Sequence, residues 1–295
     1  MNGATSEPHL LDKRAVRAAF NRAAASYDAA AGLQREVGER LLERLDWIKF
    51  QPQQILELGC GTGHCTRILE RRYRKGRLVA LDLAEAMLER ARRGGGWFHK
   101  TRYLCGDAER LPVADASADL IFSNLTLQWC NDLGATFREF RRVLRPGGVV
   151  LFSTFGPDTL YELRAAWAAV DERSHVNRFL DMHDVGDALL SAGLGDPVMD
   201  VDRIRIDYQN VRALMCDLKA IGAHNVTADR PPGLTGRRRM AAVEQAYEPL
   251  RREGLLPASY EVVYGHAWGL TGGGAVCSTG PADEVAISLD RLRGS

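Results

Sequence analysis

The stretch ELGCGTGHC, residues 57–65, closes an apolar run that begins QQIL at 53–56 and opens a helical pattern, HCTRILERRYR, at 64–74. A strand, a glycine turn and a helix in that order begin a βαβ unit, and three nucleotide-binding motifs share that beginning. A phosphate-cradling loop would end in Gly-Lys-Ser/Thr so that its lysine could reach the phosphates, but this turn ends Gly63-His64-Cys65. A dinucleotide fingerprint counted from Gly59 places His64 at its sixth position, where close helix packing wants no side chain. What remains is an acid, Glu57, two residues before G-x-G-x-G, and a second acid, Asp82, at the end of the next apolar run. A carboxylate at a strand's carboxyl end accepts both hydroxyl hydrogens of a ribose diol. With no phosphate-binding cation nearby, the pattern suits a nucleoside without phosphates.

Outward from the turn, short apolar runs alternate with helical patterns, as in a parallel sheet. GRLVALDL (76–83) is a strand, followed by the helix AEAMLERARR (84–93), which stops at Gly94 to Gly96. TRYLCGDAERLP (101–112), ADLIFSNL (118–125) and GGVVLFSTF (147–155) supply three more strands, the last preceded by the helix TFREFRRVL and the turn RPGG. Upstream, residues 12–45 are helical by composition and by the spacing of Leu33, Val37, Leu41, Leu42 and Leu45, with SYD (26–28) read as a cap between two helices. Downstream come a helix around 158–170, the polar stretch VDERSHVNRFL (170–180) and the helix MHDVGDALLSAGL. The strand VMDVDRIRI, the helix VRALMCDLKAIGA, a polar loop at 224–236, a helix over 237–252 and the alternating strand SYEVVYGHAWG (259–269) follow. The glycine-rich tail, 271–295, is expected to be disordered.

The 295 residues carry a net charge of +1, which argues against a general nucleic-acid binder. Six scattered cysteines without a CxxC pair suggest neither a disulfide framework nor a zinc site, and Cys60, His64 and Cys65 lack a fourth ligand. No apolar run of about 18 residues and no export signal is present, so a cytoplasmic protein without a membrane or metal partner is expected. Only five cations are lysine; RRYRKGR (71–77), REFRRVLR (138–145), GRRRM (236–240) and Lys219 are candidates for a basic face toward an acidic partner.

Glu57 to Gly63, Asp82, CGDAERLP (105–112) and SNLTLQW (123–129) together resemble the class I methyltransferases. The resemblance implies a doubly wound, mostly parallel, seven-stranded Rossmann-like α/β sheet with S-adenosyl-L-methionine as cofactor, N-terminal helices and a C-terminal helical insertion. It also implies that Glu57, Gly59, Cys60 and Gly61 form the turn at the methionine part. Asp82 would take the ribose, Asp107 the adenine amino group, and Asn124 would lie near the methionyl end through its backbone, with Leu83, Met87 and Ala108 also binding the cofactor. The Asn-Pro-Pro-Tyr/Phe loop of amino-methylating nucleic-acid enzymes and a Pro-Cys nucleophile are both missing.

A closer resemblance spans about residues 13–268. AAFNRAAASYDAAAGLQREVGERLL, SNLTLQWC, VDERSHVNRFL and DLKAIGAHNV are similar to the malonyl-acyl carrier protein O-methyltransferases of biotin synthesis. It implies a helical cap over the cofactor site at 1–50 and a methyltransferase domain at 51–270 with acceptor-binding insertions around 170–185 and 210–255. The methyl would pass to the free carboxylate of a malonyl thioester, on acyl carrier protein or coenzyme A. An arginine fork holds a carboxylate while leaving lone pairs free, so Arg173 or Arg178 is expected to bind it, with His175 as a neutral donor. Tyr27 and Gln34 would close the site on cofactor and acceptor, with Gln128 and Trp129 beside them. No side chain is expected to act as acid or base. The alternatives are an enzyme of the same fold acting on a free small acid or a quinone, and a non-enzymatic binding protein.

Overall fold

The computed structural model describes residues 10–95, 100–171, 173, 175–223 and 236–270. Seven strands form one sheet: β1 (Gln54–Leu58), β2 (Arg77–Asp82), β3 (Arg102–Cys105), β4 (Ala118–Ser123), β5 (Leu144–Phe155), β6 (Leu194–Tyr208) and β7 (Leu256–Gly269). Their order is β3-β2-β1-β4-β5-β7-β6. The first five are parallel, and β7 inserts antiparallel between β5 and β6. Central strands covered on both faces read as unbroken apolar runs, as in Ile55 to Leu58, whereas the edge strand β6 alternates partly buried and exposed residues along most of its length.

The helices are α1 (Lys13–Ala23), α2 (Tyr27–Ala30), α3 (Gly32–Arg44), α4 (His64–Arg72), α5 (Glu85–Gly94), α6 (Leu133–Val143), α7 (Tyr161–Ala168), α8 (Met182–Ser191), α9 (Val211–Ala220) and α10 (Arg237–Tyr247). Asp12 caps α1 by accepting from the N–H groups of Arg14 and Ala15, and α1 buries Val16, Ala19 and Ala23. Ser26, expected as a cap, caps nothing. Its hydroxyl donates to the carbonyls of Ala23 and Ala220 instead, which ties the α1–α2 corner to the end of α9.

One core layer packs Leu41, Leu69, Phe122 and Leu151 under α3 and α4. The other packs Phe137, Phe140 and Phe152 under α6. Strand order reverses at β1, whose neighbours are β2 and β4, and the crevice beyond their carboxyl ends is where open sheets of this kind bind ligands. Among the described residues no helix is long and apolar enough to cross a membrane. The tail and residues 224–235 of the expected second insertion lie outside the described residues.

Candidate active site

The glycine turn leaves β1 with Gly59, Gly61 and Gly63 at φ of +67°, +53° and +83°, a left-handed region that costs a side chain energy. At Gly59 a Cβ would lie 1.9 Å from Thr126 Oγ1, so the close approach of the segments that leave β1 and β4 itself demands glycine. At Gly61 the open direction faces the Tyr27 ring, 3.8 Å away. Asp82 fixes the turn: its Oδ2 accepts from Gly61 N–H and its Oδ1 from Ala84 N–H, both at 2.8 Å. Loss of solvent pushes the Asp82 carboxyl up to about 6, against the pull of the Ala84, Gly61 and Leu83 N–H groups. Glu57 stands behind the turn, 2% exposed, with Oε2 unpaired among the described residues. Burial, then repulsion from Asp82, pushes it up to about 8.

A narrow pocket of about 80 Å³ follows the turn, walled by Gly59, Gly61, Asp82, Leu83, Met87, Asp107, Ala108 and Asn124 among others. These come from the carboxyl ends of β1, β2, β3 and β4 and the segments that follow them. Glu57, Cys60 and Gln34, which the resemblance assigns to the cofactor, do not line it. Glu57 and Cys60 face the core side of the turn, and Gln34 faces a second cavity. The Asn124 side chain is engaged on both atoms, Nδ2 donating to Gln34 O and Oδ1 accepting from Ser153 Oγ. Lys13, Val16 and Phe20, on one face of α1 at i, i+3 and i+7, roof the pocket. Lys13 Nζ donates to Asp107 Oδ1 at 3.0 Å and pairs with Glu109. Lys13 and Phe20 were not singled out above, although their spacing was readable.

The second cavity, about 1160 Å³, opens between α1, α2, α7, α9 and the 175–179 segment. Phe20, Tyr27, Leu125 and Trp129 line both spaces, so the two meet there. Trp129 packs edge-on against Phe20, centroids 5.2 Å apart. Leu125, at φ +48°, is held in that strained conformation by its N–H donating to Ser153 O and Oγ. Gln128 Nε2 donates to Leu125 O at 2.7 Å and its side chain reaches the cavity. Burial, then the nearby Asp82 charge, pushes the Tyr27 phenol further up, so it stays a neutral O–H.

The structure brings Tyr27, Gln34, Gln128, Trp129 and His175 to this cavity but not Arg173 or Arg178, which are exposed and outside its wall. Arg173 N–H caps back onto Asp171 Oδ1 at 3.0 Å, which turns that part of the chain outward. His175 stacks on Trp167 at 3.7 Å, and its Nε2 is taken by Asp171 Oδ1 at 2.8 Å. The lysine and arginine that do line the cavity are Lys219 and Arg22. Nothing local in the sequence pairs them, since they lie far apart along the chain.

Residues 56–152 match a family model described as a methyltransferase domain. A malonyl-acyl-carrier-protein O-methyltransferase from Gallionella capsiferriformans is 53% identical over 88% of this chain and 91% of its own. Another from Halorhodospira halophila is 49% identical over 96% of both chains. The chain belongs to this family. Among solved structures, a methyltransferase from Bacillus halodurans superposes with TM-score 0.59 at 17% identity, over 78% of this chain and 99% of that one. A cyclase superposes with TM-score 0.52 at 18% identity, over 80% and 81%. The shared fold alone therefore does not choose a reaction; the family's near-complete alignment, which runs through the cavity as well as the glycine turn, does.

Proposed function

We infer that the protein transfers the methyl group of S-adenosylmethionine to the free carboxylate of a malonyl thioester on acyl carrier protein, giving a methyl ester. The observation that carries this is the 53% identity to a relative of that name over 88% of the chain. A free small acid or a quinone as acceptor has no such support. The pocket's donor set fits the cofactor: a half-buried carboxylate, Asp82, at a strand end for a ribose diol, and left-handed glycines that let a ligand approach the backbone. Gly59, Gly61, Asp82, Leu83, Met87, Asp107, Ala108 and Asn124 would hold it. When bound, it supplies an electrophilic methyl on a sulfonium.

The acceptor carboxylate, with a pKa of about 4, arrives ionised, so no side chain has to remove a proton. The chain's task is positioning and exclusion of water. Phe20, Leu125 and Trp129 form an apolar wall where the two spaces meet, which replaces water around opposite charges that neutralise one another. The neutral Tyr27 hydroxyl at that wall can donate to the carboxylate without neutralising it, which an ion pair would do more strongly. Holding the reactants in near contact supplies most of the remaining rate.

The test is intact-mass spectrometry of malonyl carrier protein after incubation with enzyme and S-adenosylmethionine, with free malonate and coenzyme A thioester in parallel. A carrier-bound methyl ester is expected, with little product from free malonate. Faster methylation of free dicarboxylates would overturn the reading.

A further inference from the structure

The acceptor cavity is larger than a malonyl group needs. At about 1160 Å³ it exceeds the roughly 300–1000 Å³ of sites for drug-sized ligands, and malonyl is smaller than any of those. The spare room has a charge pattern at its rim. Arg22 and Lys219 line the cavity, both are exposed, and neither has an ion-pair partner among the described residues. Asp217, the one carboxylate in the described wall, lies beside Tyr208, whose phenol is pushed up by burial and then by that charge.

Packing, not sequence proximity, sets the two cations on one rim. Arg22 is in the last turn of α1 and Lys219 in the last turn of α9. Ser26 Oγ donates to Ala220 O at 2.9 Å across that junction. Gly222, at φ +78°, lies so close that a Cβ would come within 3.2 Å of both Phe20 Cδ1 and Ala23 Cβ. A helix C-terminus favours a cation by its dipole, which explains each position singly but not two unpaired cations on the mouth of one cavity. Deeper in the same wall, Gln34 Oε1 and Asn177 Oδ1 are shut from solvent with no hydrogen-bond donor among the described residues. Side-chain amides with unmet capacity pair with other amides.

We propose that Arg22 and Lys219 form a phosphate clamp at the cavity mouth, which binds the phosphate of a phosphopantetheine arm. The arm runs inward past Gln34 and Asn177, whose amides meet its amide groups, and delivers the thioester to the wall formed by Tyr27, Leu125 and Trp129. Arginine forks a phosphate through two parallel N–H bonds and lysine adds a point charge. The clamp deepens the proposed function and rests on it. The same phosphate chemistry is offered by a carrier protein's prosthetic group and by coenzyme A.

The experiment compares four acceptors: malonyl pantetheine, which has no phosphate, malonyl phosphopantetheine, malonyl-coenzyme A and malonyl carrier protein. The double variant R22A/K219A is expected to raise KM about tenfold for the three phosphate-bearing acceptors. It should leave kcat nearly unchanged and malonyl pantetheine unaffected, and R22K/K219R should restore most of the loss. Added salt should raise KM for phosphate-bearing acceptors alone. Equal loss on malonyl pantetheine, or no loss on malonyl phosphopantetheine, overturns the clamp. Loss confined to the carrier protein also overturns it and moves the two cations to protein docking. If the parent protein methylates none of the four, the underlying function fails, and the clamp with it; the clamp fails alone on the comparison between acceptors.

Discussion

Asp82 carries the clearest residue-scale expectation. Its carboxyl titrates near 6 in the folded chain, and only the ionised form accepts both hydrogens of a diol. Affinity for S-adenosylhomocysteine, measured by calorimetry, should therefore fall as pH drops through about 6. Asp82→Asn should cost about tenfold to a hundredfold and flatten that pH dependence, because bonds to a charged acceptor are worth roughly 1.5–3 kcal/mol; a parallel slope in the variant would place the titration elsewhere. Glu57 tests linkage. Its pKa rises from an ordinary 4.5 to about 8 on folding, so the folded chain binds the extra proton. Its contribution is fully present below about 4.5 and is lost as pH rises through about 8. Glu57→Gln should gain stability relative to the parent over that window, read from urea midpoints, and a constant difference with pH would sink the assignment. These two acids were legible in the sequence because a glycine turn between strand ends has few alternative chemistries. That Glu57 sits behind the turn was not, since alternation in a strand buried on both faces does not say which side meets a ligand.

At the scale of elements, α1 is the piece that sequence reading underused. A helix there was expected from composition, but the face bearing Lys13, Val16 and Phe20, which turns to the cofactor pocket, was not read. Lys13 ties the helix to Asp107 and Glu109, all three side chains being less than a third exposed. Partly exposed pairs contribute about 1 kcal/mol or less, so Lys13→Ala should speed S-adenosylhomocysteine dissociation by up to about fivefold, with kcat little changed. Stopped-flow tryptophan fluorescence reads this directly, and an unchanged rate would mean that the pair does not hold the roof. The 170–180 stretch taught the opposite lesson. Its arginines look like carboxylate ligands in sequence, yet Asp171 collects Arg173 N–H, His175 and Arg239. Asp171 thus gathers backbone and neighbouring side-chain partners, while Arg173 and Arg178 stay exposed and off the cavity wall.

Across the whole molecule, the doubly wound order was readable from alternating strands and helices. The place and direction of β7, antiparallel between β5 and β6, were not readable from periodicity, because period two is the same in either direction. The acceptor cavity was the least legible part, since Arg22, Trp129, Trp167 and Lys219 meet only through tertiary packing. One helix serves both spaces: α1 walls the narrow pocket with Lys13, Val16 and Phe20 and the wide cavity with Ala19, Phe20, Arg22 and Ala23. Two ligands that press on one rigid rod share a coupling free energy, and that coupling is reciprocal by necessity. S-adenosylhomocysteine should therefore change the dissociation constant of malonyl phosphopantetheine by the same factor that the thioester changes its own. Phe20→Ala, which removes the one α1 side chain that lines both spaces, should bring that factor toward one.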